Sequence, residues 1–309
     1  MDSGGWRFPQ AENLQRAGRF QDLAVALHRL LCYFITVNLI HALIFLVTSL
    51  GLLAAAPVRP ARLLLGNEVL AREGFKPLLG KRVGLLTNPS GVNREGKSTI
   101  EVLRQAPGIR LVALFAPEHG VRGTMPAGKE FPDAVDPQSG LPVYSLYGPG
   151  PVRKPTPKML QQIDVLVYDL QDVGCRSYTF ISTMGLAMES CGEVGVEFVV
   201  LDRPNPTGGL RVEGPGLDPR YKSLVSQWDI PYAYGLTCGE LARMINGEKW
   251  IRKPCKLTVV PMKGWRRNMV WADTGLGWIP TSPMIPTDRS ATHYTALGLL
   301  GEKIGRAHV

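Results

Sequence analysis

Residues 163–180 read IDVLVYDLQDVGCRSYTF, an apolar run that stops abruptly at a cluster of acidic, basic and hydroxyl-bearing residues. Two other runs end in the same way. Residues 111–115 (LVALF) lead into APEHG at 116–120, and residues 196–201 (VEFVVL) lead into DRPNPTGG at 202–209. Short runs of Val, Ile, Leu and Phe are typical of parallel strands that are buried on both faces. Open α/β sheets bind ligands beyond the carboxyl ends of such strands, so we expect the chemistry there.

The rest of the chain alternates between strand and helix patterns. KRVGLLT (81–87) predicts a first buried strand, and residues 256–261 predict a late one. Residues 180–193 and 237–246 have helical patterns, the second opened by a capping box in which Thr237 precedes Glu240 by three residues. This alternation predicts an α/β fold with a parallel sheet. Residues 120–157 are rich in Gly and Pro without a long periodic segment, which is typical of a loop that covers a site.

The amino-terminal segment differs in composition from everything that follows. Residues 30–56 contain no charged side chain apart from His41 if it is protonated, and about 20 such residues span a bilayer as a helix. Arginines precede the segment, and Ala54-Ala55-Ala56 resembles a signal-peptidase site. Two interpretations remain: a cleaved export signal, which we favour, and an uncleaved membrane anchor. Both predict that the remainder is exported, to the periplasm or the cell exterior.

Composition and missing motifs exclude several classes of protein. The chain has 309 residues, 45% hydrophobic and 20% charged, with a net charge of +9 that suits an anionic ligand or surface. Lysines and arginines are scattered, so nucleic-acid binding is not predicted. The sequence has no G-x-G-x-x-G, P-loop, G-x-S-x-G, CxxC or HExxH motif, so no nucleotide cofactor or structural zinc is predicted. The four cysteines after residue 56 are expected to be buried free thiols.

The polar clusters after the strands contain candidates for chemistry. Glu118 is a candidate general acid, and the alternative is a loop-stabilising carboxylate, with His119 bonding to backbone carbonyl groups. Arg176 can hold a carboxylate in a bidentate pair, or it can pair with an aspartate of its own loop. Asn205 stands between two prolines and suits hydrogen bonding to a sugar, unless it only forms an Asx-turn. Carboxylates near basic groups are compatible with glycoside hydrolysis.

Six stretches of the chain resemble one known family. They are LLTNPSG (85–91), FAPEHGVRG (115–123), RKPTPKML (153–160), YDLQDVGCRSYTFISTM (168–184), LDRPNPTGG (201–209) and EGPGLD (213–218). Over about residues 67–290 the chain resembles the NamZ-type exo-β-N-acetylmuramidases, which are bacterial peptidoglycan exo-glycosidases. The resemblance implies release of N-acetylmuramic acid from the non-reducing ends of peptidoglycan fragments. It also implies a Rossmann-like domain, a mostly parallel sheet with helices on both faces, followed by a smaller α/β domain, with the active site between them.

The resemblance also implies a set of site residues. The glutamate of the family's PEHG motif falls on Glu118, which we predict to be the catalytic general acid/base. The predicted substrate-binding residues are Asn88, His119, Asp169, Gln171, Asp172, Arg176, Tyr178, Asp202, Arg203 and Asn205. Among them, Arg176 is the candidate cation for the lactyl carboxylate of muramic acid. No metal or other cofactor is implied.

These observations predict the following organisation. Residues 1–56 are a signal peptide or membrane anchor, 57–76 a linker, 77–250 a Rossmann-like catalytic domain, and 251–309 the truncated start of the smaller domain. The last six residues, 304–309 (IGRAHV), match the in-frame translation of a common sequencing adapter, and we interpret them as an artefact.

The predicted partners are muramyl saccharides derived from peptidoglycan, and also the membrane, through residues 30–56, if that segment is not cleaved. Two alternatives to the glycosidase stay open. One is a non-catalytic periplasmic protein that binds cell-wall sugar fragments through its carboxylates. The other is a metal-dependent deacetylase that uses His119 and aspartates.

Overall fold

The amino-terminal residues form one long helix. A computed structural model describes residues 11–53, 62–149 and 153–305 of the protein, and the chain divides into two compact units, residues 1–60 and 61–309. In the first unit, α1 (Ala11–Leu53) contains Val25–Leu46, 22 residues of mean hydropathy 1.9 that are not buried within the protein. A helix of this length and composition is compatible with either an export signal or a membrane anchor. The predicted cleavage site at residues 54–56 lies outside the described residues.

One sheet organises the second unit. Its strands, in chain order, are β1 (Arg82–Thr87), β2 (Arg110–Ala116), β3 (Ala134–Val135), β4 (Pro142–Ser145), β5 (Val165–Asp169), β6 (Glu197–Leu201) and β7 (Leu257–Val260). They lie in the order β3-β4-β2-β1-β5-β6-β7, and only the β3–β4 pair is antiparallel among these described strands. Counted among themselves, the parallel strands follow the 3-2-1-4-5-6 order of the Rossmann fold. The predicted α/β class is therefore confirmed.

The central strands are buried on both faces, as their apolar runs predict. Along β5, Val165 and Val167 pack into the core on one side of the sheet, and Leu166 and Tyr168 pack into the core on the other. All four side chains are fully buried. Successive residues of a strand point to opposite faces, so a run without polar residues fills two cores at once. Each such side chain stabilises the fold by about 1.5–3 kcal/mol.

Helices flank the sheet. They are α2 (Gly66–Arg72), α3 (Thr99–Gln105), α4 (Pro157–Leu160), α5 (Phe180–Val194), α6 (Cys238–Gly247) and α7 (Asp288–Gly305). The predicted capping box opens α6: the Thr237 hydroxyl accepts from the Glu240 N–H at 3.2 Å, and the Glu240 carboxylate accepts from the Thr237 N–H at 3.0 Å. The box satisfies backbone donors that the start of a helix leaves unpaired.

The four cysteines of the second unit are buried free thiols, as predicted. They are Cys175, Cys191, Cys238 and Cys255. Burial raises the pKa of each thiol above its ordinary value, to about 11 for Cys255. These side chains therefore stay protonated and serve as small apolar groups in the core.

Two strands lie in the stretch that was expected to be loop. β4 pairs with β2 at one edge of the sheet, and β3 pairs with the outer side of β4. Both strands are short, and Val135 of β3 is exposed, so no buried alternation marks them in the sequence. The buried Asp136 carboxylate holds the turn between them by accepting from the Ser139 N–H at 2.9 Å, and it ties the turn to the loop after β2 by accepting from Arg122 at 2.8 and 2.7 Å.

The predicted domain boundary at residue 251 does not coincide with an end of the sheet. β7 pairs in parallel with β6, from Phe198 opposite Leu257 to Leu201 opposite Val260. Residues 251–305 therefore extend the unit that begins at residue 61 and do not open a separate sheet. The position of β7 depends on backbone pairing with a distant strand, which its own sequence does not reveal. Residues 306–309 of the predicted artefact lie outside the described residues.

The described part of the predicted linker is also folded. α2 lies within it, and Val69 and Leu70 are each 1% exposed in the core. Leu64 exchanges backbone hydrogen bonds of 2.8 and 3.0 Å with Lys263, just beyond β7. Residues 62–76, which were predicted as linker, therefore pack into the core beside β6 and β7. Residues 57–61 lie outside the described ranges, and for them the linker stays a prediction.

Gly185 provides a test of the packing between α5 and the loop that carries Trp228. A Cβ atom at position 185 would lie 2.1 Å from a carbon of the Trp228 ring, and that ring is held by its N–H bond of 3.0 Å to the Ile181 carbonyl oxygen. We expect Gly185→Ala to lower the free energy of unfolding by about 1–3 kcal/mol through overpacking, although alanine favours helix.

The matched control is Gly247→Ala at the end of α6, where a Cβ atom would meet nothing within 4 Å. This control should stabilise the protein, by up to about 1 kcal/mol. Urea denaturation of both variants measures the difference. Equal stability of the Gly185→Ala variant and the native protein would contradict the close contact between α5 and the Trp228 ring.

Candidate active site

Polar residues follow neighbouring strands at the point where the strand order reverses. Asn88 follows β1, Asp169 ends β5, and Asp202 follows β6. In a sheet of this order the connections after β1 and β5 run to opposite sides, which opens a crevice between their carboxyl ends. Glu118 lies at the same edge because β2 runs parallel to β1.

A cavity of about 230 Å³ lies beside the ends of β2 and β5. Glu118 and His119 line it from the loop after β2, Ser177 and Tyr178 from the segment before α5, and Tyr294 from α7. Among the described residues that line this space, Glu118 has the only carboxyl group. We call it the Glu118 cavity.

The Glu118 carboxylate accepts three hydrogen bonds. The Gly128 N–H donates to Oε1 at 2.8 Å, while the Thr179 hydroxyl and the Tyr147 phenol donate to Oε2 at 2.7 and 3.3 Å. Burial, and then the charge of Glu118, raise the pKa of Tyr147 well above its ordinary value, so its phenol stays a donor. These bonds hold the carboxyl group in one orientation on the cavity wall.

Tyr147 and Thr179 are site residues that the sequence did not identify. Thr179 is the residue before α5, but its hydroxyl makes no capping bond and donates to Glu118 instead. Tyr147 lies in a turn cluster rich in Gly and Pro, and no motif marks it. The Glu118 carboxylate, in the loop after β2, meets these two hydroxyl groups only when the chain is folded.

His119 is fixed beside Glu118 by its own loop. Its backbone has φ 70°, a conformation uncommon for residues other than glycine. Nδ1 lies 2.9 Å from the Met125 carbonyl oxygen, so the proton of the neutral ring is on Nδ1 and Nε2 is an acceptor. Within the described ranges no three His, Cys, Asp or Glu side chains are grouped to hold a metal. The deacetylase alternative therefore has no ligand set there.

Tyr178 forms one wall of the cavity and is supported from behind. Its phenol pairs with the Thr281 hydroxyl at 2.7 Å, and Asn88 donates to the Thr281 carbonyl oxygen at 3.0 Å. The ring packs edge-on against Tyr294, with 5.6 Å between ring centroids. Asn88 therefore contributes to the cavity through Thr281, and its own side chain is buried.

Asp169 and Arg203 form a buried ion pair below the edge of the sheet. The Arg203 Nε–H donates to Asp169 at 2.5 Å, and the two side chains are 4% and 0% exposed. The Thr99 hydroxyl also donates to Asp169 at 2.5 Å, and Arg203 donates to the Val92 carbonyl oxygen at 2.8 Å. These groups tie three loops together, and Asp169 is unavailable to a ligand.

Gln171 and Asp172 bind their own surroundings. The Gln171 amide donates to the carbonyl oxygens of Asp172 and Pro204, both at 2.8 Å. Asp172 accepts from the Gly174 N–H at 2.7 Å and from the Tyr234 phenol. Burial raises the pKa of Asp172 to about 7. Asp172 is thus a buried acid under the loop that carries Tyr178 and Thr179.

Two further predicted site residues stabilise turns. Asp202 accepts from the Gly239 N–H at 2.8 Å and the Thr237 hydroxyl at 2.9 Å, which places a carboxylate at the start of α6. Burial raises its pKa to about 6. Asn205 accepts from the Thr207 N–H at 3.0 Å and donates to the Leu236 carbonyl oxygen at 3.0 Å, as in the Asx-turn alternative.

Arg176 holds a loop and does not line the Glu118 cavity. Its Nη1 donates to the carbonyl oxygens of Pro215 and Ile230, at 2.9 and 2.5 Å. Its guanidinium lies 5.9 Å from the centroid of the Tyr232 ring. The structure thus brings Glu118, His119 and Tyr178 together, while the contacts of Arg176 fasten the chain between residues 215 and 232.

Comparison with known proteins identifies the family. The model described as "Exo-beta-N-acetylmuramidase NamZ, N-terminal" matches residues 83–289. The chain belongs to this family. The peptidoglycan beta-N-acetylmuramidase NamZ of Bacillus subtilis (strain 168) is 50% identical over 235 residues, which are 76% of this chain and 56% of that protein.

Two solved structures from Bacteroides fragilis NCTC 9343, both of DUF1343 family proteins, resemble this member of the NamZ family. One is 58% identical with a TM-score of 0.74, and it is matched over 78% of this chain and 60% of its own. The other is 34% identical with a TM-score of 0.66, matched over 77% and 62%. The chain thus spans little more than half the length of these relatives.

Asp172 makes a testable contribution to stability. Because its folded pKa is about 7 and its ordinary value is 3.8, the folded protein keeps a proton that the unfolded chain releases between these values. Stability contributed by this group therefore falls as pH rises from about 4 to 7. The side chain of Asp172→Asn has no proton to lose. We therefore expect the stability of this variant to fall less over the same interval, by about 2–4 kcal/mol.

The measurement is the free energy of unfolding in urea at several pH values across that interval. Asp202, with its pKa near 6, supplies a similar slope that the Asp172→Asn variant keeps. Identical pH dependence in the variant and the native protein would show that burial does not raise the pKa of Asp172 in the folded protein.

Proposed function

We propose that the protein is an exo-acting glycoside hydrolase that releases N-acetylmuramic acid from the non-reducing ends of peptidoglycan fragments, with Glu118 as general acid/base. The observation that carries the proposal is the Glu118 carboxylate, oriented by three donors on the wall of a cavity that it shares with aromatic and hydroxyl side chains. The curated relative is named a peptidoglycan beta-N-acetylmuramidase, which supports the substrate class.

Glycoside hydrolysis requires a carboxyl group within hydrogen-bond distance of the glycosidic oxygen. Glu118 would donate its proton to that oxygen as the bond to the anomeric carbon breaks, and take a proton back in a later step. His119 offers Nε2 as an acceptor for a sugar hydroxyl, and Ser177 offers a hydroxyl group. The rings of Tyr178 and Tyr294 are apolar walls for a sugar face. A single cavity of this volume suits one sugar residue, as exo action requires.

We further propose that the hydrolase unit works outside the cytoplasm. Its substrate class is a cell-wall polymer, and α1 is apolar over Val25–Leu46. Cleavage near residues 54–56 would release the unit into the periplasm or the cell exterior, and an uncleaved α1 would attach it to the membrane.

Replacement of Glu118 tests the catalytic role. We expect Glu118→Gln to lower kcat on a muramyl disaccharide by about 10²–10⁴-fold, since the amide cannot donate a proton to the leaving oxygen. The loss should be smaller on 4-nitrophenyl N-acetylmuramide, whose phenolate leaves without help from an acid. Both rates are measured with the full chain.

The matched control is Glu130→Gln, an exposed glutamate after β2 that is paired with Arg153. This control should keep native turnover. A chain that binds muramyl saccharides but hydrolyses neither substrate would instead be the non-catalytic binding protein. Equal losses of kcat on both substrates would show that Glu118 does not act as the general acid.

Thr179 tests the orientation of the carboxylate. Thr179→Val removes the 2.7 Å bond to Glu118 Oε2 with little change in shape, and we expect kcat to fall about tenfold while KM changes little. Thr179→Ser keeps the hydroxyl group and should restore most of the rate. If the serine variant is as slow as the valine variant, keeping the hydroxyl group does not preserve the rate, and the bond to Glu118 is not what Thr179 contributes.

A further inference from the structure

A groove of about 190 Å³ lies beside α5, and none of its described lining residues lines the Glu118 cavity. Trp228 and Trp250 form its aromatic wall. The remaining lining residues all belong to the loop before Trp228 or follow it directly: Leu217, Pro219, Lys222, Gln227 and Asp229. We call this space the Trp250 groove. The proposed hydrolysis does not use any of these side chains.

The two indole rings of the groove form a fixed stack. Their planes differ by 12°, and their centroids are 6.5 Å apart. Trp228 is buried against Gly185 and donates its indole N–H to the Ile181 carbonyl oxygen at 3.0 Å. Trp250 is partly exposed, and its backbone N–H donates to the Ile245 carbonyl oxygen at 3.1 Å. The groove therefore offers a rigid aromatic surface on which an apolar face of a ligand can pack.

The polar side chains of the groove are accessible to solvent. Lys222 and Asp229 are exposed, and Gln227 is partly exposed. The Lys222 ammonium lies 5.8 Å from the centroid of the Trp228 ring, and neither this ammonium nor the Gln227 amide hydrogen-bonds to a described residue. Asp229 accepts from the Leu217 N–H at 2.9 Å through one oxygen only. An ammonium, an amide and a carboxylate oxygen are thus available to a ligand.

These groups define the chemistry of the ligand. Lys222 and Asp229 carry opposite charges, so the groove does not select a charged molecule. Donors and acceptors beside an aromatic surface suit a molecule that combines an apolar face with hydroxyl or amide groups. A sugar residue has both features, and a space of about 190 Å³ has room for one. The groove therefore has the chemistry of a sugar site.

A tight turn separates the Trp250 groove from the Glu118 cavity. Ser223 and Ser226 exchange backbone hydrogen bonds of 3.0 and 3.1 Å, and Arg176 donates to the Ser226 hydroxyl at 3.3 Å. Val225, inside the turn, lines the Glu118 cavity. The residues directly before and after the turn line the groove. The two sites therefore lie on either side of one short turn that Arg176 holds in place.

Helix α5 gives the spacing between the two sites. Phe180, its first residue, lines the Glu118 cavity. Gly185 packs against the Trp228 ring in the wall of the groove, and the helix rises about 7.5 Å from residue 180 to residue 185. A glycan whose terminal sugar lies beside Glu118 therefore reaches the groove with a sugar farther along its chain.

We infer that the Trp250 groove binds a sugar of the peptidoglycan fragment on the leaving side of the scissile bond. The terminal muramyl residue lies in the Glu118 cavity, and a sugar beyond the first leaving residue packs on the Trp250 ring. Lys222, Gln227 and Asp229 bond to its hydroxyl and acetamido groups. The inference rests on the proposed hydrolase, because exo action is what puts the terminal sugar beside Glu118. It adds a preference for longer fragments to that function.

Kinetics on two peptide-free fragments test the groove: the muramyl disaccharide, and the tetrasaccharide that contains two such repeats. The full chain is used, in detergent because of α1. We expect KM for the tetrasaccharide to be about tenfold lower than KM for the disaccharide. The two kcat values should be similar, since contacts far from the reacting bond stabilise substrate and transition state equally. Trp250→Ala should abolish the difference in KM.

A second variant and a matched control accompany Trp250→Ala. Gln227→Ala leaves the tryptophan stack intact and should reduce the difference in KM about threefold. It decides the question if circular dichroism shows that Trp250→Ala does not fold. The control is Tyr221→Ala, which removes an aromatic side chain of the same loop that is 70% exposed and does not line the groove. This control should keep the full difference.

Binding measurements separate the groove from the hydrolase. In calorimetry, Glu118→Gln should bind the tetrasaccharide about tenfold more tightly than the disaccharide. Equal affinities, or equal KM values in the native chain, would overturn the inference. A difference that persists in full in the folded Trp250→Ala and Gln227→Ala variants would overturn it as well. A chain that hydrolyses neither fragment but binds the longer one more tightly through Trp250 would keep the sugar site and lose the proposed function.

Discussion

Asp169 and Arg203 are joined by an ion pair 2.5 Å long that has almost no contact with solvent. Two charges without water are favourable only when they are paired and their remaining atoms are hydrogen-bonded, and removing one partner costs roughly 3–5 kcal/mol. Here the Thr99 hydroxyl donates a further hydrogen bond to the Asp169 carboxylate, and the Arg203 guanidinium donates one to the Val92 carbonyl oxygen. The pair thereby fastens the loops after β1, β5 and β6 in one arrangement, and the wall of the Glu118 cavity that Tyr178 and Thr179 form depends on the loop after β5.

A second layer of contacts divides the edge of the sheet above this pair. Thr281 bonds to Asn88 through its carbonyl oxygen and to Tyr178 through its hydroxyl. A short segment is thus held across the crevice, beside the cavity that contains the oriented carboxylate of Glu118 and the rings of Tyr178 and Tyr294.

The sheet could be predicted from the sequence because its central strands have no exposed face. Residues 165–168 have the short β-branched and aromatic run typical of a strand buried on both sides, and Thr237 with Glu240 can start a helix on local information alone. Residues 256–261 predict the strand β7, but its place beside β6 and the packing of α2 could not be predicted, since both depend on pairing with distant backbone. Residues of the site were harder to assign. The ends of buried strands leave backbone groups that need partners, and Asp202 and Asn205 accept hydrogen bonds from such groups, which their place in the sequence does not reveal.

His119 illustrates a conflict between fold and site at a single residue. Its φ of 70° is one that glycine adopts freely and that costs a residue with a Cβ atom on the order of 1 kcal/mol. The turn would be easier to form with no side chain at all. A histidine at this place therefore means that the protein tolerates a strained backbone and keeps an imidazole next to a carboxylate. Glycine would relieve that strain, but it would also lose the bond to the Met125 carbonyl oxygen and the ring that lines the pocket.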